Sequence, residues 1–88
     1  MNKLFSDDAW NDYLHWQKFD KTKVKRINKL IISIEREGFS KGIGKPEPLK
    51  HDLSGYWSRK INEEHRLIYK KDANNIMIAS CKDHYYII

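Results

Sequence analysis

A segment rich in glycine, proline and lysine, residues 38–55, divides the 88-residue chain into a helical first part and a β-rich last part. Its run Ser-Lys-Gly-Ile-Gly-Lys at residues 40–45 contains too much glycine and lysine for the interior of a helix or strand. The run does not match the Gly-x-x-x-x-Gly-Lys-Ser/Thr pattern of a phosphate-binding loop, and no strand precedes it. The segment is therefore a basic loop, and we expect an α+β fold around it.

Two helices are predicted in the first part of the chain. Ser6 is a suitable N-cap and two aspartates follow it, so the first helix begins near Asp7. Asp20 is a second candidate N-cap, and apolar residues recur at helical spacing from there to Gly38, a plausible helix stop. The two helices should form a hairpin.

Three strands are predicted after residue 55, at residues 56–61, 66–70 and 76–82, because β-forming residues alternate with short turns there. They would form an antiparallel meander, to which an extended start at residues 3–5 could add a fourth strand. We predict that the N-terminal helix hairpin packs on one face of this small antiparallel sheet and leaves the other face for a ligand. The length suits one domain, residues 1–88.

The formal net charge of +5 predicts attraction to polyanions such as nucleic acid, and an acidic protein partner would also fit. Cys81 is the only cysteine, so no intrachain disulfide can form, and we expect it to be a buried strand residue. With no apolar run at its start or elsewhere, the chain is expected to lack a secretory signal and a membrane span, and to be cytoplasmic. The four histidines are scattered, so neither a metal site nor another cofactor is predicted.

Glu47 lies between two prolines, which narrow its backbone freedom and would hold the carboxylate in place. Lys45, Lys50 and His51 surround it with positive charge, which suits a site that attracts phosphate and holds a general base. The competing interpretation is a turn that carries a solvated glutamate.

Cleavage of RNA without a metal ion requires a base for the 2′-hydroxyl, a cation for the phosphate and an acid for the leaving 5′-oxygen. Glu47 could be the base, Arg66 the phosphate clamp and His84 the acid. Tyr85 could stack on a base or orient the phosphate. Of the other histidines, His51 is the one expected to contact RNA.

Structural alternatives exist for these residues. Arg66 could form an ion pair with Glu63 or Glu64, and the histidine near the C-terminus could be an ordinary surface residue. Arg59 and Lys60 lie on opposite faces of their strand, and the sequence leaves open which of them is opposite Arg66.

Six sequence blocks occur in order over nearly the whole chain: SDDAW (6–10), DYL (12–14), GKPEPLKH (44–51), LSGYWSR (53–59), EEHRL (63–67) and DHY (83–85). Together they resemble the YoeB family of bacterial toxins, within the RelE superfamily. The resemblance implies a RelE-like fold similar to that of small microbial ribonucleases. It also implies a ribosome-associated endoribonuclease that cleaves messenger RNA in the A site and is neutralised by an antitoxin of the YefM type.

Transferred residue by residue, the resemblance assigns the general base to Glu47, the phosphate-stabilising arginine to Arg66, the general acid to His84 and the terminal tyrosine to Tyr85. The chemistry of these side chains had already indicated the same residues.

Lys50, Arg59 and Lys60 match family positions that are basic and RNA-facing. Lys60 is often arginine in the family, and the tail at residues 86–88 extends past the usual His-Tyr end. Two other functions stay open at this point, a non-catalytic inhibitor like the related ParE toxins and a basic RNA-binding module. The sequence also leaves the oligomeric state open, a homodimer included.

Overall fold

Two helices and a five-stranded sheet form the fold. A computed structural model of the chain describes residues 1–83, so the predictions for His84, Tyr85 and residues 86–88 lie outside the described residues. Residues 1–83 contain no helix that is both long and apolar enough to cross a membrane. The elements are β1 (Asn2–Phe5), α1 (Asp7–Phe19), α2 (Lys21–Glu37), β2 (Glu47–Pro48), a 3-10 turn (His51–Leu53), β3 (Trp57–Lys60), β4 (Arg66–Asp72) and β5 (Asn75–Ser80).

The helix hairpin is confirmed, and capping side chains set its boundaries. The Ser6 side chain accepts the backbone N–H of Ala9 at the start of α1. Asp20 ends α1 and begins α2, because its own N–H donates to the Trp16 carbonyl while its carboxylate accepts the N–H of Thr22. Two helices can therefore follow each other with one residue between them.

The sheet has the order β1-β5-β4-β3-β2, and it is mixed rather than antiparallel. β1 runs parallel to β5, whereas the other three strand pairs are antiparallel. The antiparallel meander of β3, β4 and β5 is confirmed, and the prediction was wrong only for β1. Short turns force neighbouring strands to be antiparallel, and no such turn joins β1 to β5. The two-residue β2 was also missed, since prolines are poor strand formers except at a sheet edge.

The core lies between the helix hairpin and one face of the sheet. β4 and β5 contribute Leu67, Tyr69, Ile76 and Ile78, none of which is more than 1% exposed. Because side chains alternate along a strand, the residues between them in the chain belong to the opposite face. The helices contribute these buried residues: Ala9, Trp16, Ile27, Leu30, Ile31 and Ile34.

Candidate functional site

Glu47 lies on the edge strand β2 with an exposed side chain. Its Cα is paired with that of Ser58 in β3, so the two side chains share the sheet face opposite the helices. The next two residues fix this edge, because Pro48 pairs with Trp57 and the N–H of Leu49 donates to the carbonyl of Tyr56 at 2.9 Å. Glu47 is thus held by sheet pairing on one side, and its carboxylate is open to a ligand.

Arg66 begins β4 and lies opposite Lys60 of β3. Its Nη1 donates to three backbone carbonyls, those of Asn62, Glu63 and His65, at 2.8, 3.3 and 3.1 Å. Within residues 1–83 no carboxylate lies at ion-pair distance from Arg66, and the hydrogen bonds of its guanidinium there use only Nη1. The ion-pair alternative is therefore wrong for the described residues, and the carbonyls orient the guanidinium without neutralising it.

Glu47 and Arg66 belong to the same face of the sheet. Ser58 of β3 pairs with Glu47 on one side and with Ile68 of β4 on the other, and Arg66 is two residues from Ile68. Two residues along a strand return to the same face. The two functional candidates are therefore separated by one strand, about 10 Å across the sheet, and by two residues along it, about 7 Å.

Asp83 lies beside the start of β4. The backbone N–H of Arg66 donates to the carbonyl of Asp83 at 3.0 Å. Asp83 is the last described residue, and its φ of 62° turns the backbone there. His84 and Tyr85 lie outside the described residues, so their assigned roles stay predictions.

Arg59 is not a surface residue, which contradicts its assignment to RNA binding. Its residue exposure is 0%, and it lies on the helix face of β3 opposite Leu67. Nε donates to the Tyr69 hydroxyl at 2.8 Å, and Nη1 donates to Ser33 Oγ at 2.9 Å. A surface ligand cannot reach a guanidinium that is enclosed in this way.

Backbone carbonyls complete the enclosure of Arg59. They come from the end of α2 and the loop after it, where the partial negative charge of a helix C-terminus favours a cation. The accepting carbonyls belong to Gly38, Phe39, Lys41 and Ile43, at distances of 2.8, 3.4, 2.6 and 3.1 Å. The alternation of side chains along β3 was the sequence signal for the burial of Arg59. It places Arg59 on the same face as Trp57, which packs against the core.

Lys60, rather than Arg59, is the member of this pair on the open face. Its Nζ lies 3.2 Å from the carboxylate of Glu63, which projects into solvent. That hydrogen bond is the main reason that the pKa of Glu63 is lowered, and the charges of Arg66 and Lys45 lower it further. Several positive charges thus surround one exposed carboxylate at this end of the sheet.

Lys50 and His51 follow Leu49, the residue after β2, and both are exposed. His51 has a φ of 57° and begins the 3-10 turn, which the N–H of Ser54 closes onto the His51 carbonyl at 3.0 Å. The structure places both residues on the same loop as Glu47. Residues 1–83 hold no group of three or more His, Cys, Asp or Glu side chains arranged to bind a metal ion.

Comparison with known proteins gives one consistent family. A model of the YoeB-like toxin of bacterial type II toxin–antitoxin systems matches residues 5–85. Toxin YoeB of Escherichia coli K12 is 53% identical over 85 residues, which cover 97% of this chain and 100% of that protein. Toxin YoeB of Streptomyces coelicolor is 51% identical, over 97% of this chain and 100% of that protein.

Solved structures agree with the sequence matches. The YoeB–YefM complex from Staphylococcus aureus contains a chain that matches with a TM-score of 0.91 and 55% identity, covering 97% of this chain and 98% of that one. The YoeB dimer from the same organism matches with a TM-score of 0.92 and 56% identity, over the same shares of the two chains. The chain therefore belongs to the family of YoeB-like toxins of bacterial type II toxin–antitoxin systems.

Proposed function

We propose that this toxin is a ribosome-dependent endoribonuclease that cleaves messenger RNA in the ribosomal A site by general acid–base catalysis, without a metal ion. The observation that carries the proposal is the placement of Glu47 and Arg66 on one sheet face with a single strand between them. The bond from the Arg66 N–H to the Asp83 carbonyl supports it further, because it holds the residue before His84 beside the start of β4. The proposed base and cation are thus held by two strands with β3 between them, and the residue before the proposed acid is bonded to the start of β4.

Each residue has a distinct role in the proposed reaction. The exposed Glu47 carboxylate takes the proton of the 2′-hydroxyl, whose oxygen then attacks the adjacent phosphorus. The guanidinium donors of Arg66 that the loop carbonyls leave unused bind the phosphate oxygens, and arginine keeps its charge throughout. His84 gives a proton to the leaving 5′-oxygen, and Tyr85 stacks on a base or orients the phosphate.

The surrounding cations would attract the RNA before the chemical step. Lys45, Lys50 and His51 belong to the same loop as Glu47, and all three are exposed. Lys60 lies beside Arg66 and is partly neutralised by its ion pair. Positive charge on this face raises the local concentration of a polyanion and steers its approach.

We infer that the neutralising partner is an antitoxin of the YefM type. The S. aureus relative occurs in a complex with YefM, and it also occurs as a dimer, so we propose both assemblies for this chain. A surface with net charge +5 is complementary to an acidic antitoxin segment that folds on binding. The site of action would be the cytoplasm, where messenger RNA is translated.

The proposal can be tested by mapping the 5′ ends of messenger RNA after brief induction of the toxin, and again with purified toxin and programmed ribosomes. We expect new ends within coding regions, at positions that correspond to the A site. Translation that stops without new RNA ends would contradict the proposal and favour a non-catalytic inhibitor. Equal cleavage of naked RNA and ribosome-bound RNA would contradict the ribosome dependence alone.

A further inference from the structure

The backbone after β5 is fixed by side chains of α1. A carboxylate oxygen of Asp12 accepts the N–H of Cys81 at 3.0 Å, and Nε1 of Trp16 donates to the Cys81 carbonyl at 2.9 Å. Cys81 itself is fully buried, and this burial, together with the nearby Asp12 charge, raises the pKa of its thiol to about 12. The thiol is therefore a packing group, and α1 holds both polar groups of its peptide backbone.

His65 holds the next part of this segment. Its Nδ1 accepts the backbone N–H of Asp83 at 2.8 Å. The residue is only 8% exposed, and its ring packs edge-to-face on Trp16 with 4.8 Å between ring centroids. Its own backbone N–H donates to Asn62 Oδ1 at 2.7 Å, which fixes the main chain from which the imidazole extends. Because both its ring and its main chain are held, the His65 side chain keeps the Asp83 N–H in place.

Asp83 is therefore held by two consecutive residues, His65 just before β4 and Arg66 at its start. The His65 ring accepts its N–H, and the Arg66 N–H donates to its carbonyl. The Nδ1 contact requires a neutral ring with its proton on Nε2, since a protonated Nδ1 is a donor. A carboxylate oxygen of Glu64 lies 3.5 Å from Nε2 and favours a proton there, whereas the nearest carboxylate oxygen of Asp83 is 3.9 Å from Nδ1, too far for a hydrogen bond.

We propose that His65 is a positioning residue for the cleavage reaction. It acts through Nδ1, which fixes the Asp83 backbone at the point where the chain continues to His84, the general acid of the proposed function. This inference rests on that proposed function. Because a general acid must lie within hydrogen-bond reach of the leaving oxygen, a looser Asp83 would lower the rate of the chemical step.

The test compares variants that keep or remove the acceptor at the Nδ1 position. His65→Asn retains an oxygen close to that position, whereas His65→Leu fills similar space without an acceptor. We expect single-turnover cleavage on programmed ribosomes to fall about 10- to 100-fold for His65→Leu, with ribosome affinity unchanged, and to recover largely in His65→Asn. His15→Asn is the matched control, because the His15 ring packs on Trp16 and Phe19 of its own helix, and it should cleave at the wild-type rate.

Two results would overturn the proposal. One is a folded His65→Leu protein that cleaves at the wild-type rate, and the other is a folded His65→Asn protein that loses as much activity as His65→Leu. If His65→Leu fails to fold, the wild-type protein still tests the contact without which the positioning role fails. Nitrogen chemical shifts of the imidazole should then show a proton on Nε2 alone, with slow hydrogen exchange at the Asp83 amide, and a proton on Nδ1 would refute the contact.

These measurements separate the two proposals. The imidazole shifts and the Asp83 exchange rate do not depend on RNA cleavage. If the wild-type toxin does not cleave programmed ribosomes although both signals are as expected, the proposed function fails while the contact stands. If the wild-type toxin cleaves and His65→Leu does too, only the positioning role fails.

Discussion

Arg59 is a charged residue whose role is to hold the fold together. It is fully buried, and its guanidinium joins the end of α2, the loop at residues 38–43 and the hydroxyl of Tyr69. The Ser33 hydroxyl that accepts from Nη1 donates in turn to a carboxylate oxygen of Glu37 at 3.0 Å. The negative charge of Glu37 is thus linked to the Arg59 guanidinium through this hydroxyl. One side chain thus organises a loop that contains little regular structure.

Replacement of Arg59 by methionine should destabilise the toxin strongly. Several buried acceptors would lose their donor at about 1–3 kcal/mol each, so we expect the free energy of unfolding to fall by roughly 3 kcal/mol or more. Urea unfolding followed by circular dichroism measures this change. Lys60→Met in the same strand is the control and should shift the midpoint little. An Arg59→Met midpoint equal to that of the control would refute the structural role.

Asp12 should make stability depend on pH. Burial raises the pKa of its carboxyl above the ordinary 3.8, while the hydrogen bond from Cys81 and the charge of Lys82 partly oppose this. The folded state then keeps its proton to a higher pH than the unfolded state. Ionisation of Asp12 therefore lowers stability as the pH rises through the folded pKa.

Asp12→Asn keeps an oxygen that can accept the Cys81 N–H but carries no charge. We expect it to be more stable than the wild type at neutral pH, with the difference shrinking as the pH falls through the folded pKa and absent below the unfolded pKa of about 4. Urea midpoints over a range of pH test this. Asp7→Asn, an exposed position in the same helix, should give no such gain. A wild-type protein that matches or exceeds Asp12→Asn at neutral pH would count against the argument.

At the scale of elements, local signals predicted the helices closely and the sheet only in part. Ser6 and Asp20 are caps, and caps act within a few residues, so they can be read from the chain. The direction of β1 depends on which strand it meets after the helix hairpin has crossed the sheet, and no local pattern carries that information. β2 has only two residues and exists because β3 is there to pair with it.

The sequence likewise identified only part of the candidate site. Glu47 and Arg66 could be nominated because their chemistry and their neighbours in sequence are distinctive. The burial of Arg59 depends on carbonyls that come from a distant loop, so its residue type alone suggested RNA binding. The role of His65 was not foreseen either, because Asp83 is eighteen residues away in the chain.

The loop around Arg59 should tolerate no side chain at Gly42. Its φ is +110°, and a Cβ there would collide with Ser33 Oγ and lie 3.0 Å from Nη1 of Arg59. Gly55 has a similar φ of +95° but open space around it, so it is the matched control. We expect Gly42→Ala to lower the unfolding midpoint well beyond Gly55→Ala, which has only the backbone strain. Equal midpoints for the two variants would show that the loop can move away.

At the scale of the whole molecule, the net charge of +5 should speed association with the ribosome. We expect the association rate to fall as salt rises, because exposed charges are screened. Lys50→Gln and Lys25→Gln each remove one exposed positive charge, but Lys25 lies on α2 whereas Lys50 is in the loop of Glu47. Lys50→Gln should weaken ribosome binding more than Lys25→Gln. Equal losses would mean that overall charge, rather than this loop, determines binding.

The account depends most on Glu47 as the general base of an RNA-cleaving site. The direct test is the single-turnover rate of messenger RNA cleavage on programmed ribosomes for the wild type, Glu47→Gln and Glu35→Gln. Glu35 is the matched control, because its carboxylate pairs with Lys3 outside the proposed site. We predict that Glu47→Gln remains folded and binds ribosomes but cleaves roughly 10²- to 10⁴-fold more slowly, while Glu35→Gln cleaves like the wild type. Cleavage by Glu47→Gln at the wild-type rate would contradict the account.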